Sequence, residues 1–170
     1  MIAGLSDLTR EQKKILALSV LGTALEFYDF TLFSVFAFDV GRTFFPSDNM
    51  LASALAALGA FAAGFLMRPF GGILLGFLGD TLGRRQALAL SILLMGVPAL
   101  VAGILPGYAS IGILAPILIV FVRLVQGLSA GGEFNGAAIF VLEHISGPRR
   151  AFMSSWISVS GGLGALFAML

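Results

Sequence analysis

The sequence lacks cysteine altogether, has a single histidine and carries little charge. Only 11% of its 170 residues are Asp, Glu, Lys or Arg. The absence of cysteine excludes disulfide bonds and thiolate metal sites. His144 has no second nitrogen or sulfur ligand nearby, so we expect neither a metal site nor a catalytic residue. A formal net charge of +1 gives no basis for binding nucleic acid.

Apolar residues dominate what is present. They make up 58% of the chain, and the mean hydropathy is +1.01, so a soluble domain of this size could not bury them. Five apolar runs are long enough to cross a bilayer as helices: 15–41, 51–78, 87–105, 111–134 and 151–170. Because they are apolar on every side, the sequence predicts an all-α membrane protein with five transmembrane helices. We expect no cleaved signal peptide.

Basic residues are distributed unevenly between the two sides of these runs. Seven of them flank one side: Arg10, Lys13, Lys14, Arg84, Arg85, Arg149 and Arg150. The opposite side has only Arg42, while Arg68 and Arg123 fall within runs. Cytoplasmic loops carry the excess of positive charge, so we expect a cytoplasmic N-terminus and a fifth span that ends outside.

The loop between the second and third runs reads "GFLGDTLGRRQ". Its spacing is G-x-x-x-D-x-x-G-R-R, formed by Gly76, Asp80, Gly83, Arg84 and Arg85. An acid and a base at a helix end can pair in one conformation and separate in another. The loop resembles the signature loop of the major facilitator superfamily, which implies a cytoplasmic gate that braces the outward-open state. Thr81 departs from the family, which usually has a basic residue there. The alternative is that the arginines only anchor the topology.

Four other stretches narrow this resemblance. "GTALEFYDF", "RPFGG", "RLVQGLSAGGEFNGAA" and "EHISGPRRAFMSSW" are similar to the metabolite:proton symporter branch, which includes proline/betaine, α-ketoglutarate, citrate and shikimate carriers. Phe27 and Ala151 deviate from the usual Trp and Gly. The resemblance implies a twelve-helix fold of two six-helix halves in a bacterial inner membrane. Residues 1–170 then correspond to part of the N-terminal half, without its sixth helix or the C-terminal half.

Four charged residues within the runs are candidates for proton coupling. Glu26 and Asp29 are three residues apart, so they share a helix face, and two carboxylates cannot both ionise cheaply in hydrocarbon. Arg123 lies at the centre of the fourth run, and the resemblance implies a role in proton coupling. Glu133 lies about 15 Å along the helix from Arg123, toward the cytoplasm, so we expect it at the inner end of the pathway. The alternative for each acid is a structural pair with an arginine.

Arg68 is the first candidate for substrate binding, with Tyr28 and Gln126 as further contacts. A guanidinium can hold a carboxylate through two parallel hydrogen bonds. The alternative is a buried pair between Arg68 and Asp29 or Glu26. At the cytoplasmic side, Glu143 and Arg150 offer a second acid-base pair that extends the gate.

Glycines spaced four apart predict close helix packing. The three pairs are Gly72 with Gly76, Gly127 with Gly131, and Gly132 with Gly136. None lies in a strand-turn-helix setting, so no nucleotide or other cofactor is expected.

The function predicted from these residues is the N-terminal part of a proton-coupled symporter for a small carboxylate or zwitterion. Its partners are that substrate, a proton, membrane lipid and the missing C-terminal half, in cis or in trans. The alternatives are a truncated, non-transporting fragment or a half that needs a second polypeptide. An intramembrane enzyme is the weakest alternative, because the runs contain no nucleophile with a histidine.

Overall fold

A computed structural model describes residues 9–144 and 150–170, and every regular element in these residues is a helix. The seven helices are α1 (Arg10–Val35), α2 (Ala37–Phe44), α3 (Met50–Thr81), α4 (Arg84–Ile104), α5 (Tyr108–Ile111), α6 (Leu114–His144) and α7 (Arg150–Met169). Five of them, α1, α3, α4, α6 and α7, are long and apolar enough to span a membrane. The prediction of five spanning helices is therefore confirmed. The turn predicted at 146–148 and Arg149 lie outside the described residues.

The first predicted span, 15–41, is two helices in the structure. The helix ends at Val35, Phe36 adopts φ −90° and ψ 19°, and α2 begins at Ala37. After this break, α2 packs on α3. In that contact, a Cβ built on Gly41 would stand 2.5 Å from the carbonyl oxygen of Ser53. Only a glycine allows this contact, which no hydropathy profile reveals.

The other helices follow their predicted spans with shifts at the ends. The fourth spanning helix, α6, begins at Leu114 rather than at 111, because Ile111 ends the short helix α5 and Gly112 turns the chain at φ 58°. α4 begins at Arg84, three residues before the apolar run, because Gly83 at φ 101° turns the chain and Arg84 then opens the helix. α6 continues ten residues beyond the predicted end at 134. Glu133 therefore lies inside a long helix, where its side chain is buried among neighbouring helices.

Glycines allow the closest helix contacts. α3 packs most extensively on α6, and α1 on α7. Along the α3–α6 contact, a Cβ at Gly71, Gly127 or Gly131 would overlap the facing backbone, and one at Gly64 would stand 2.8 Å from the Arg123 carbonyl oxygen. Close packing was thus predicted correctly for Gly127 and Gly131. The prediction of close packing was wrong for Gly76 and Gly136, because a Cβ built on either glycine meets no described atom within 4 Å.

Two apolar clusters lie toward opposite ends of the bundle. One joins Leu16, Leu88, Phe140 and Met153, near the end that carries Arg84, Arg85 and Arg150, called the basic end below. The other joins Phe33, Phe44, Ala115 and Ile119 near the opposite end. Three charged residues are buried among the described residues, Glu26, Arg123 and Glu133. They lie between the two clusters, where polar groups are screened from lipid.

Candidate functional site

Two ion pairs join α1 to other spanning helices. Arg123 on α6 places Nη1 2.8 Å from Oδ2 of Asp29, and Arg68 on α3 places Nη2 3.2 Å from Oε1 of Glu26. Because Glu26 and Asp29 are three residues apart, they share a face of α1 but contact different helices. The alternative of an Arg68–Glu26 pair, left open above, is the one that the structure contains.

The Arg123–Asp29 pair also includes an amide and an aromatic ring. Nε2 of Gln126, one turn along α6, donates a hydrogen bond to the same Asp29 oxygen at 3.3 Å. The guanidinium carbon of Arg123 lies 4.0 Å from the centre of the Phe33 ring. The side chain of Arg123 is 4% exposed and that of Asp29 is 19% exposed. Gln126 therefore belongs to the charge pair and lies apart from Arg68.

Arg68 lies against two aromatic rings, which contact each other, at the edge of an open cavity. Its guanidinium carbon is 4.2 Å from the centre of the Phe65 ring and 4.6 Å from that of Phe30. The cavity measures about 450 Å³, and Glu26, Phe27, Arg68, Pro69, Gly131 and Asn135 are among the residues that line it. The side chain of Arg68 is 29% exposed, whereas that of Glu26 is 1% exposed. The guanidinium of Arg68 is therefore the more accessible of the two charges.

Glu133 is buried beside α1 without an arginine partner among the described residues. A Cβ built on Gly22 would lie 2.5 Å from its Oε1, so the carboxylate occupies space that only a glycine leaves free. Glu133 is close enough to Glu26 for their charges to interact, and it lies beside the Ser129 hydroxyl. Oε2 of Glu133 and Oε2 of Glu26 are both buried without a hydrogen-bond partner.

Tyr28 does not lie beside Arg68, the first candidate for substrate binding. It is two positions from Glu26, which places the two side chains about 200° apart around α1. Tyr28 is 38% exposed and lines a separate cavity of about 250 Å³ with Asp29, Met95 and Glu133. Tyr28 and Gln126 therefore both lie near Asp29, whereas Arg68 lines a different cavity.

The signature loop forms a compact ion-pair network at the basic end. Nη2 of Arg84 lies 2.7 Å from Oδ1 of Asp80, and Nε of Arg84 lies 3.8 Å from Oε1 of Glu143. The Asp80–Arg84 contact spans Gly83, whose φ of 101° favours glycine. The predicted pairing of Glu143 with Arg150 is wrong, because Glu143 contacts Arg84 instead. The expectation that Glu143 joins the Asp80–Arg84 pair is confirmed.

The remaining residues of the predicted gate have separate surroundings. Arg150 and Arg85 are exposed, and neither forms an ion pair within the described part of the chain. Gly76 lines a crevice of about 140 Å³ with Arg84, Ser91 and Asn135. It therefore leaves open space beside the gate.

The aromatic residues at the ion pairs were missed from sequence. Phe30 and Phe65 contact Arg68, and Phe33 contacts Arg123. Helical spacing offered a signal, because Phe30 and Phe33 each lie four residues after an acid of the pairs, Glu26 or Asp29.

Comparison with known proteins identifies the family to which the chain belongs. Residues 15–170 match the model of the sugar (and other) transporter family. The chain is 41% identical over 145 residues to a proline/betaine transporter of Salmonella typhimurium, covering 85% of this chain and 29% of the relative. It is 40% identical over 166 residues to the shikimate transporter of Escherichia coli, covering 97% of this chain and 38% of the relative.

A third relative is a citrate-proton symporter of Salmonella typhi, 40% identical over 149 residues, covering 88% of this chain and 34% of the relative. The chain thus spans about a third of the length of these relatives. No solved structure matches the chain significantly. Together with the five apolar helices, the match indicates that the chain is part of a multi-pass plasma-membrane protein of a transporter family. The chain belongs to the sugar (and other) transporter family of the major facilitator superfamily.

Proposed function

We propose that this chain forms part of a proton-coupled symporter for a small carboxylate or zwitterion. The two ion pairs between spanning helices support this proposal most directly. A charge buried at bilayer depth costs at least about 2.5 kcal/mol on insertion scales, and such residues recur where substrates and ions bind. In this proposal, residues 1–170 contribute the first five helices of an N-terminal six-helix half.

Proton coupling is assigned to the Arg123–Asp29 pair. A proton bound to Asp29 removes the charge that attracts the guanidinium at 2.8 Å, so the contact between α1 and α6 weakens. Loss of the proton restores the contact. A two-state contact of this kind links proton binding to helix movement. Glu26 and Glu133 belong to the same proton-handling group.

Substrate binding is assigned to Arg68. Its partly exposed guanidinium faces the largest of the cavities described above, and a fork of two N–H donors fits a carboxylate. The relatives that are named for proline, betaine, shikimate and citrate suggest probes that carry a carboxylate.

The gate is assigned to Asp80, Arg84 and Glu143 at the basic end, which we propose faces the cytoplasm. Arg84 holds two acids from two different helices, so separating them lets α6 move relative to the α3–α4 turn. Gly76, Gly83, Arg85 and Arg150 complete the predicted gate.

Transport requires the rest of a facilitator fold, because alternating access moves one bundle against another around a shared site. We propose that the C-terminal half is supplied in cis or by a second polypeptide, and a non-transporting fragment is the alternative.

The test is uptake into proteoliposomes with an imposed inward proton gradient. Radiolabelled proline, betaine, shikimate and citrate are the probes, and the complete transporter that contains this chain is compared with the isolated chain. We expect gradient-dependent uptake of at least one probe by the complete transporter and none by the isolated chain. Uptake that is unaffected when a protonophore collapses the gradient would contradict proton coupling.

A further inference from the structure

Acids outnumber arginines at the depth of the two ion pairs between spanning helices. Glu26, Asp29 and Glu133 face only Arg68 and Arg123, and each arginine contacts one acid. The runs 87–105 and 151–170 contain no charged residue, so α4 and α7 bring no further charge to this depth. One negative charge is therefore in excess. Binding one proton makes the group neutral, which avoids the cost of an unpaired buried charge.

The two ion pairs present opposite charges to their surroundings. In the Arg68–Glu26 pair the arginine is the more exposed partner, with 29% against 1%. In the Arg123–Asp29 pair the acid is the more exposed one, with 19% against 4%. An anion that enters the cavity therefore meets Arg68 first, while Asp29 repels it from Arg123.

Aromatic contacts hold Arg68 in place independently of Glu26. The guanidinium lies against both the Phe30 and the Phe65 rings, and the faces of aromatic rings attract a cation. When Glu26 separates from Arg68, the guanidinium can keep its position. A carboxylate in the cavity can thus replace Glu26 at Arg68.

We propose that the substrate carboxylate and Glu26 compete for Arg68, and that the displaced Glu26 takes up one proton. One substrate carboxylate replaces the Glu26 carboxylate at Arg68, and the proton neutralises the displaced Glu26, so the charge that faces the guanidinium is unchanged. No covalent bond other than the O–H bond of Glu26 forms. This exchange rests on the proposed function, and it couples proton uptake to substrate binding at a pair other than Arg123–Asp29.

The proton reaches Glu26 from the basic end through Glu133. The Glu133 carboxylate lies in the space that Gly22 leaves free, one turn of α1 before Glu26. Ser19 and Thr23 are on the same buried face of α1, and their hydroxyl oxygens are buried without a hydrogen-bond partner. The hydroxyl groups of Ser19 and Thr23 extend the row of buried polar groups from Glu26 toward the basic end. Glu133 is a positioning and relay residue, since it contacts no substrate.

The experiment measures proton uptake when a probe binds to the complete transporter in weakly buffered detergent solution. The probe is whichever of the four carboxylates binds in a radioligand assay. Wild type should take up about one proton per carboxylate bound. Glu26→Gln should bind the probe at least as tightly, because the competing charge is gone, but should lose this proton uptake.

Glu11→Gln is the matched control, because Glu11 is an exposed acid of the same helix outside the span, and its proton uptake should equal that of wild type. Proton uptake retained in Glu26→Gln overturns the exchange while leaving symport intact. If the wild-type transporter binds none of the probes, the proposed function fails and the exchange fails with it.

A second measurement on the wild-type protein needs no variant to fold. Infrared difference spectra with the carboxylate probe should show a new protonated carboxylic acid signal. The primary amide of the same probe, which cannot replace Glu26 at Arg68, should not produce this signal. An equal signal with both probes, or no signal with the carboxylate, would contradict the proposal.

Discussion

Removing Arg123 should destabilise the fold through the acid that it leaves behind. Arg123→Met keeps an apolar side chain of similar length but removes the guanidinium 2.8 Å from Asp29. Asp29 then keeps only the weak hydrogen bond from Gln126 at 3.3 Å. It must either remain charged in a low-dielectric setting or bind a proton.

The cost of protonating Asp29 sets an upper limit to the stability that Arg123→Met loses. Neutralising an ordinary aspartate in water costs about 4 kcal/mol at pH 7 and about 1.5 kcal/mol at pH 5. Breaking a buried pair by removing one partner typically costs about 3–5 kcal/mol. Because Asp29 is 19% exposed, we expect Arg123→Met to lower the free energy of unfolding by about 2–4 kcal/mol at pH 7, and by less at pH 5.

The double variant Asp29→Asn/Arg123→Met separates the unpaired charge from lost packing. It should recover most of the stability, to within about 1.5 kcal/mol of wild type, because no buried charge remains. The assay is unfolding in mixed micelles by increasing dodecyl sulfate, followed by circular dichroism at both pH values. A double variant as unstable as the single one, or a single variant whose loss is the same at pH 5, would refute this reasoning.

Three further predictions concern packing, gating and topology. Gly71→Ala should destabilise the bundle by about 1–3 kcal/mol, because the added Cβ would overlap the Leu128 backbone. The control is Gly59→Ala on the same helix, whose Cβ would meet nothing within 4 Å and which should be neutral or stabilising in the same assay. Equal effects of the two substitutions would contradict the packing. Asp80→Asn should shift the balance between inward-open and outward-open states by about 5- to 150-fold without changing substrate affinity within either state. Spin-label distances across the basic end measure this balance, and an unchanged balance would show that Asp80 is not part of a gate. Thr81→Cys should be protected from an impermeant thiol reagent in intact cells while Ser110→Cys is labelled, and the reverse would invert the topology.

The sequence by itself determined the number of spanning helices and most of the local chemistry. Continuous apolar runs force helices in a bilayer, because unpaired backbone groups are too costly there. The intramembrane charges stood out for the same reason, since each residue such as Arg123 or Glu26 is costly unless a polar partner compensates it. The signature loop was also visible, because its glycines and charges have a fixed spacing.

Tertiary structure decided which charges pair. Sequence left Arg68 with two acidic candidates and joined Glu143 to Arg150, whereas the structure pairs Arg68 with Glu26 and Glu143 with Arg84. Pairing depends on how far each helix extends and on which face it turns toward its neighbour, and both follow from contacts between residues remote in sequence. The glycine contacts of α3 with α6 set those positions, since they fix how closely two backbones approach. Periodicity along one helix holds no information about the surface that it meets, so only the packed bundle could place Tyr28 away from Arg68.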